Sequence, residues 1–154
     1  KEKIMRIIKL SDKDIDFPDR ASVDTYFEVT LPGRDPIGQF LLTQGRIAEN
    51  GIHANETIIF SYATEITHIA RAASGRCERG GDNDHKYPYY FLVDMNTISP
   101  AQGKLSALEA SLTALGLHKN IVHTQGWPRI PDSPEVEHLW NGLRRPEQAT
   151  KTLC

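Results

Sequence analysis

The chain has 154 residues, 39% of them hydrophobic, which is enough apolar material for one ordinary core and gives no reason to expect a second. Its formal net charge of −2 excludes the broad basic field of a protein that holds nucleic acid by charge alone, so any such contact must be local. No stretch approaches the ~18 apolar residues of a membrane span, and the apolar start at residues 4–8 is too short and interrupted for a signal peptide, so a cytoplasmic protein is expected.

In chain order, Ile4–Leu10 reads as a strand, residues 11–20 as a charged loop around Pro18, and residues 24–31 as a second strand from their alternation. Pro32 and Gly33 mark a turn, and a short helix is expected through Phe40, Leu41 and Ile47, stopped by Asn50 and Gly51. The pattern is clearer from residue 56 onward. Thr57–Tyr62 is β-branched and aromatic, and Glu65–Ala72 alternates at period two. Only Ala63 and Thr64 separate them, which fits either a tight hairpin or one kinked strand. Residues 74–86 hold three glycines and six charged side chains and predict a solvated loop before another strand over 89–95.

Two helices follow. Leu105, Leu108, Leu112 and Leu115 share one face, with Ser106 and Glu109 spaced as a capping box and Gly116 at the stop. Ser133 and Pro134 open a second helix, whose apolar face of Val136, Leu139, Trp140 and Leu143 puts Trp140 in the core. Residues 120–124 between them predict one more strand leading to Trp127. The sum is an α+β domain, a small curved or partly closed β-barrel of about five or six strands flanked by two or three helices. Residues 1–35 form an N-terminal extension packed on the domain, residues 36–143 the domain itself, and residues 144–154 a tail or linker.

Trp127 lies between Gly126 and Pro128. A large ring presented at such a turn suits stacking on a flat ligand as well as it suits plugging the end of a barrel. Chemistry of other kinds is poorly supported. His118 and His123 would point to opposite faces of a strand, and the Asp82, Asp84, His85 run lacks the later acidic ligand of a calcium loop. Asp132 and Glu135 lack the lysine that a PD-(D/E)xK nuclease requires, and Cys77 and Cys154 have no metal-ligand spacing. No metal, cofactor or catalytic residue is assigned.

The order of these segments over residues 38–143, with Thr-Ile-Ile-Phe-Ser-Tyr at 57–62, Ala-Arg-Ala at 70–72, Tyr-Tyr-Phe-Leu-Val-Asp at 89–94, a leucine-rich helix and Pro-Asp-Ser-Pro-Glu at 131–135, resembles the EVE-type branch of the PUA-like superfamily. That superfamily includes EVE, YTH, ASCH and SRA-like domains. The resemblance implies a non-enzymatic module that reads a modified base in DNA by flipping it, as the specificity domain of a modification-dependent restriction system. A nuclease or motor would then reside in another domain or subunit.

On that reading Tyr62 and Trp127 wall the base pocket and Ser61, Asp94 and Gln125 test the base edge. Arg71, Arg76, Arg79, Lys86 and Arg129 hold flanking phosphates. Each has a plainer counterpart: Asp94 as a cap on the following turn, and the 76–86 charges as a mixed solvated loop. Residues 1–40 contain no tryptophan to complete a cage of the YTH type, leaving Tyr26 or Phe40 to stand in for it. A small hydrolase or nucleic-acid-processing enzyme using the same pocket, and an RNA-binding or protein-interaction domain without one, are the alternatives.

Overall fold

A computed structural model describes residues 4–43, 46–79, 86–117, 120–124 and 126–144. Its centre is a curled mixed sheet of β1 (Ile4–Leu10), β2 (Gln39–Leu42), β3 (Thr57–Tyr62), β4 (Glu65–Ala72), β5 (Cys77–Glu78), β6 (Tyr89–Pro100) and β7 (Arg129–Pro131). The strands run in the order β2-β6-β4-β3-β1-β7, and β5 pairs with β6. β1 lies inside the sheet, parallel to β3 and antiparallel to β7. Ile4–Leu10 is therefore an internal strand, and Phe17, Val23, Tyr26, Phe27 and Leu31 belong to the core beside it.

The β3–β4 connection is the tight hairpin. Ala63 and Thr64 both adopt left-handed backbone, with φ of 52° and 66°, which matches the twist of a two-residue hairpin turn. Two irregularities bend the sheet. Thr67 is an extra residue of β4 opposite the Phe60–Ser61 step, and residues 95–98 of β6 face Ala70 alone. The first of these lets both Ile66 and Ile69 reach one face despite their spacing.

Alternation along the strands builds two cores. Ile8, Leu10, Ile58, Phe60, Tyr62, Ala70, Ala72, Phe91 and Val93 point to the inner face of the curl. Met5, Ile7, Ile59, Ile66 and Ile69 point outward, where α2 (Leu105–Ala114) covers them with Leu105, Leu108 and Leu112, and α3 (Pro134–Gly142) with Val136 and Trp140. α3 begins as expected, with Ser133 accepting from the Val136 N–H at 3.2 Å and Pro134 in the first turn. α2 stops at Gly116, whose φ is 87°.

Five local expectations are corrected. Residues 24–31 are helical: α1 (Arg20–Thr25) passes into a wide π-helical turn over Tyr26–Thr30. Asp19 and Ser22 form a reciprocal capping box that starts the helix, and winding puts Val23, Tyr26, Phe27 and Leu31 on one buried stripe. A window beginning at Asp24 omits Val23 and so mistakes that stripe for alternation. The helix expected through Phe40 is instead β2, with Phe40 and Leu42 turned inward. It is introduced by Gly38 at φ 83°, where any side chain would overlap the Val93 carbonyl.

The capping box at Ser106 does not form. Lys104 is the N-cap without a side-chain bond, while Glu109 reaches away from the helix. Residues 120–124 are not a strand, because side chains rather than a neighbouring strand take their backbone groups. Strand β6 also runs five residues beyond its expected end at Met95. Among the described residues no helix is long and apolar enough to cross a membrane.

Candidate functional site

The end of β1 organises the site. Its backbone meets the loop after α2 where the Ile7 N–H donates to the Pro128 carbonyl at 3.0 Å. Two cations then clamp that loop. Arg6, only 4% exposed, donates to the carbonyls of Gly51 and Trp127. Lys9 Nζ donates to the carbonyls of Val122 and Thr124, at 3.3 and 2.8 Å. Burial is the main cause that lowers both pKa values. Arg129 also lowers that of Arg6, and Glu109 partly opposes the shift at Lys9.

From the other side Glu109 Oε1 accepts the Ile121 and Val122 N–H groups, at 2.8 and 3.1 Å. Those two hydrogen bonds are the largest causes that hold its carboxyl below its usual 4.5. A carboxylate with a depressed pKa adds stability that is complete above the unfolded value and is lost as pH falls through the folded one. Glu109→Gln keeps an acceptor and removes the charge. It is expected to melt earlier than the parent above about pH 4.5 and to converge on it at lower pH. Melting curves across that range check this, and a constant gap down to the lowest pH would show that the charge is not what anchors the loop.

Held in this way, the Trp127 indole is half-buried against the inner core. It meets Phe40 edge-on at 6.4 Å and 71°, and the Arg46 guanidinium lies 5.3 Å from its ring centre. It lines two adjoining hollows, of about 110 and 350 Å³, which also share Lys9, Leu10, Ser11 and Arg46. The smaller one continues between Phe17, Tyr26, Phe40 and Tyr87 and contains Asp14, Asp16 and Arg34. The larger one reaches Asp12, Tyr62 and Ala63. Its volume falls at the low end of the ~300–1,000 Å³ usual for small-molecule sites.

The polar groups of the smaller hollow form one network. Arg34 donates to the Tyr26 hydroxyl at 3.1 Å and the Gln39 carbonyl at 2.7 Å, and stands 3.8 Å from the Asp16 carboxylate. The Tyr87 hydroxyl donates to Asp14 at 3.4 Å. Desolvation, then the Asp14 charge, raises the Asp16 pKa, against Arg34 and Lys86. Burial likewise moves the Tyr26 phenol far above its ordinary range. The hollow thus combines flat apolar walls with carboxylate acceptors and a fixed guanidinium.

The residues expected from sequence are distributed unevenly around it. Trp127 lines both hollows. Tyr62 lines the larger, yet is only 7% exposed and donates its hydroxyl to the Phe17 carbonyl at 2.9 Å. Ser61, 1% exposed, lines neither hollow. Asp94 also lies outside both and caps its own turn, accepting the Asn96 N–H at 3.1 Å. Gln125 falls outside the described residues, as do His118 and the 80–85 segment with Asp82, Asp84 and His85.

None of the five expected phosphate contacts lines a hollow. Arg71 donates to the Asn55 carbonyl, Arg76 to that of Ile47 while stacking 3.9 Å from the Tyr89 ring centre, and Arg79 to that of Tyr87. Lys86 sits over the Tyr87 ring at 5.4 Å, and Arg129 is exposed on β7. The sequence reading missed Lys9, Arg34, Arg46, Asp14 and Asp16. The one available signal was the Asp12, Asp14, Asp16 alternation, which reads like any solvated loop. Tyr26 and Phe40, named as stand-ins for an absent tryptophan, both line the smaller hollow. Among the described residues no group of three or more His, Cys, Asp and Glu is placed to hold a metal ion.

A curled mixed sheet with three helices makes this an α+β domain. The YTH domain of Zygosaccharomyces rouxii MRB1, solved in complex with N6-methyladenosine RNA, superposes on it with a TM-score of 0.51 over 92% of this chain and 88% of that one, at 11% identity. At that identity the likeness establishes the fold. No protein-family profile and no curated protein matches the sequence.

Proposed function

We propose that the chain is a nucleic-acid-binding module that recognises a modified base in DNA by drawing it out of the stack into the hollows beside Trp127. The observation that carries this reading is the pair of adjoining hollows, with aromatic walls, acceptor carboxylates and the cations Lys9, Arg34 and Arg46, at the place where a PUA-like sheet ends in a clamped tryptophan loop. Trp127 and Phe40 supply stacking surface, with Tyr62 at the larger hollow. Asp14 and Asp16 accept from a base that presents an exocyclic amino group, as adenine and cytosine do. Gln125, two residues before Trp127, is retained as an edge contact. Ser61 and Asp94 are not, since neither reaches the hollows.

Arg71, Arg76, Arg79, Lys86 and Arg129 are kept as contacts to flanking phosphates, and the salt dependence is expected to be modest if only a few of them engage one ligand, since each phosphate neutralised steepens it by about one unit of slope. The EVE-type pattern supports a place in a modification-dependent restriction system. The module then acts by binding, and a nuclease or motor belongs to another domain or subunit. The neighbouring YTH domain was solved with RNA, and that observation supports a modified base in RNA as the second reading.

Competition binding at fixed physiological salt tests both. The probes are one DNA duplex unmodified, with 5-methylcytosine, with 5-hydroxymethylcytosine and with 6-methyladenine, beside an RNA strand with and without N6-methyladenosine. One modified DNA is expected to bind about tenfold or more tighter than its parent: stacking returns ~1–3 kcal/mol to any flipped base, and the preference comes from edge and shape contacts that only the modified base completes. Preference for modified RNA alone would transfer the reading to RNA. Equal affinity throughout would overturn it.

A further inference from the structure

Ile15 is 83% exposed, the most exposed large apolar side chain among the described residues. It stands at the tip of a loop that is otherwise firmly fastened. The Asp14 N–H donates to the Ser11 carbonyl and the Phe17 N–H to the Asp14 carbonyl, both at 3.0 Å, so two successive turns present Ile15 at their corner. Asp14 Oδ1 also accepts the Asp16 N–H across it, at 3.0 Å. Beyond the turn, Phe17 is buried and its carbonyl receives the Tyr62 hydroxyl.

The two residues that flank Ile15, Asp14 and Asp16, line the smaller hollow. Their carboxylates are engaged by Tyr87 and Arg34, and the exposed Lys13 lies beside them. A stiff, β-branched apolar group is thus held at the rim of the pocket and left largely open to solvent.

We propose that Ile15 is a wedge that enters the base stack at the position vacated when the neighbouring nucleotide turns into the hollow. This rests on the base-reading function proposed above. A nucleotide drawn from a duplex leaves an apolar gap between its former neighbours, and filling that gap with a side chain already fixed in place restores part of the lost contact. The contribution exists only where there is a stack to refill. A modified base in a single strand gains nothing from it.

The test measures affinity for one duplex unmodified, with 5-methylcytosine, with 5-hydroxymethylcytosine and with 6-methyladenine, and for the same strands alone, with the parent and with Ile15→Ala. The side chain is exposed, so Ile15→Ala is expected to keep the parent's melting temperature. It should lose on the order of tenfold in affinity for the preferred modified duplex, from the apolar area no longer buried, and remain within about twofold of the parent on the single strand. An unchanged duplex affinity overturns the wedge while leaving the base reader standing. Equal losses on both substrates overturn it too, since Ile15 would then be touching the bound base or shaping the hollow. Parent protein that binds the modified base only in single strands also overturns it. If the parent shows no preference for any of these modified DNAs, in duplex or single strand, the DNA-reading function fails and the wedge with it.

Discussion

Trp127→Ala is expected to abolish discrimination between modified and unmodified nucleic acid, with a loss of about 5- to 150-fold in affinity for the preferred ligand, equivalent to ~1–3 kcal/mol of base stacking. The ring borders both hollows, so its removal merges them and deprives a bound base of its largest flat wall. Arg46 loses the face it lies over, and Phe40 loses an edge contact. The loop itself should persist, because Arg6, Lys9 and Glu109 bind its backbone rather than the indole. Titration of the variant with the modified and unmodified duplexes, together with its melting temperature, separates the two roles open to this residue. Lost discrimination with a modest drop in stability marks a pocket wall. Unchanged binding with a large drop in stability marks a plug over the barrel end.

The other tryptophan should behave in the opposite way. Trp140 is 1% exposed in the outer core, and Trp140→Ala is expected to cost ~3–5 kcal/mol through lost burial and the cavity left behind. Set against the ~5–15 kcal/mol that stabilises a typical domain, this is a large fraction of the total. Trp140→Phe should be far milder. The indole N–H of Trp140 is buried and has no hydrogen-bond partner among the described residues, so phenylalanine removes an uncompensated donor while retaining most of the apolar volume. Chemical denaturation of the three proteins decides this, and equal losses in the alanine and phenylalanine variants would refute it. The phenylalanine variant also leaves Trp127 as the sole tryptophan, so its fluorescence then reports directly on the pocket.

The two tryptophans show how far local pattern reaches. Trp140 lies on a helical stripe with Val136, after a Ser-Pro start, and both its burial and its helix follow from that spacing. For Trp127 the neighbours Gly126 and Pro128 predict presentation at a turn, but what the ring faces depends on β1, β2 and the loop after Leu42. Tyr62 illustrates the same limit. Its place at the end of β3 was legible, whereas its hydroxyl is committed to Phe17, 45 positions away in the chain.

Local pattern was enough for β1, β3, β4, the start of β6, α2, α3 and the assignment of Trp140 to the core. In each of these, apolar periodicity and the capping or turn residues agree within a single short window. The choice between a hairpin and a kink at Ala63 and Thr64 came from their backbone and the pairing of β3 with β4. The helix over residues 20–30 had a local signal in Asp19, Ser22 and Val23, whereas the pairing of residues 39–42 with β6 and the irregular path of residues 120–124 depend on contacts far away in the chain. Tertiary structure also decided which polar groups line the hollows. Lys9, Asp14, Asp16, Arg34 and Arg46 come from separate segments that meet only when the sheet curls. A short charged run has the same appearance whether it faces water or a ligand, and the contacts that distinguish the two cases are made by residues far away in the chain.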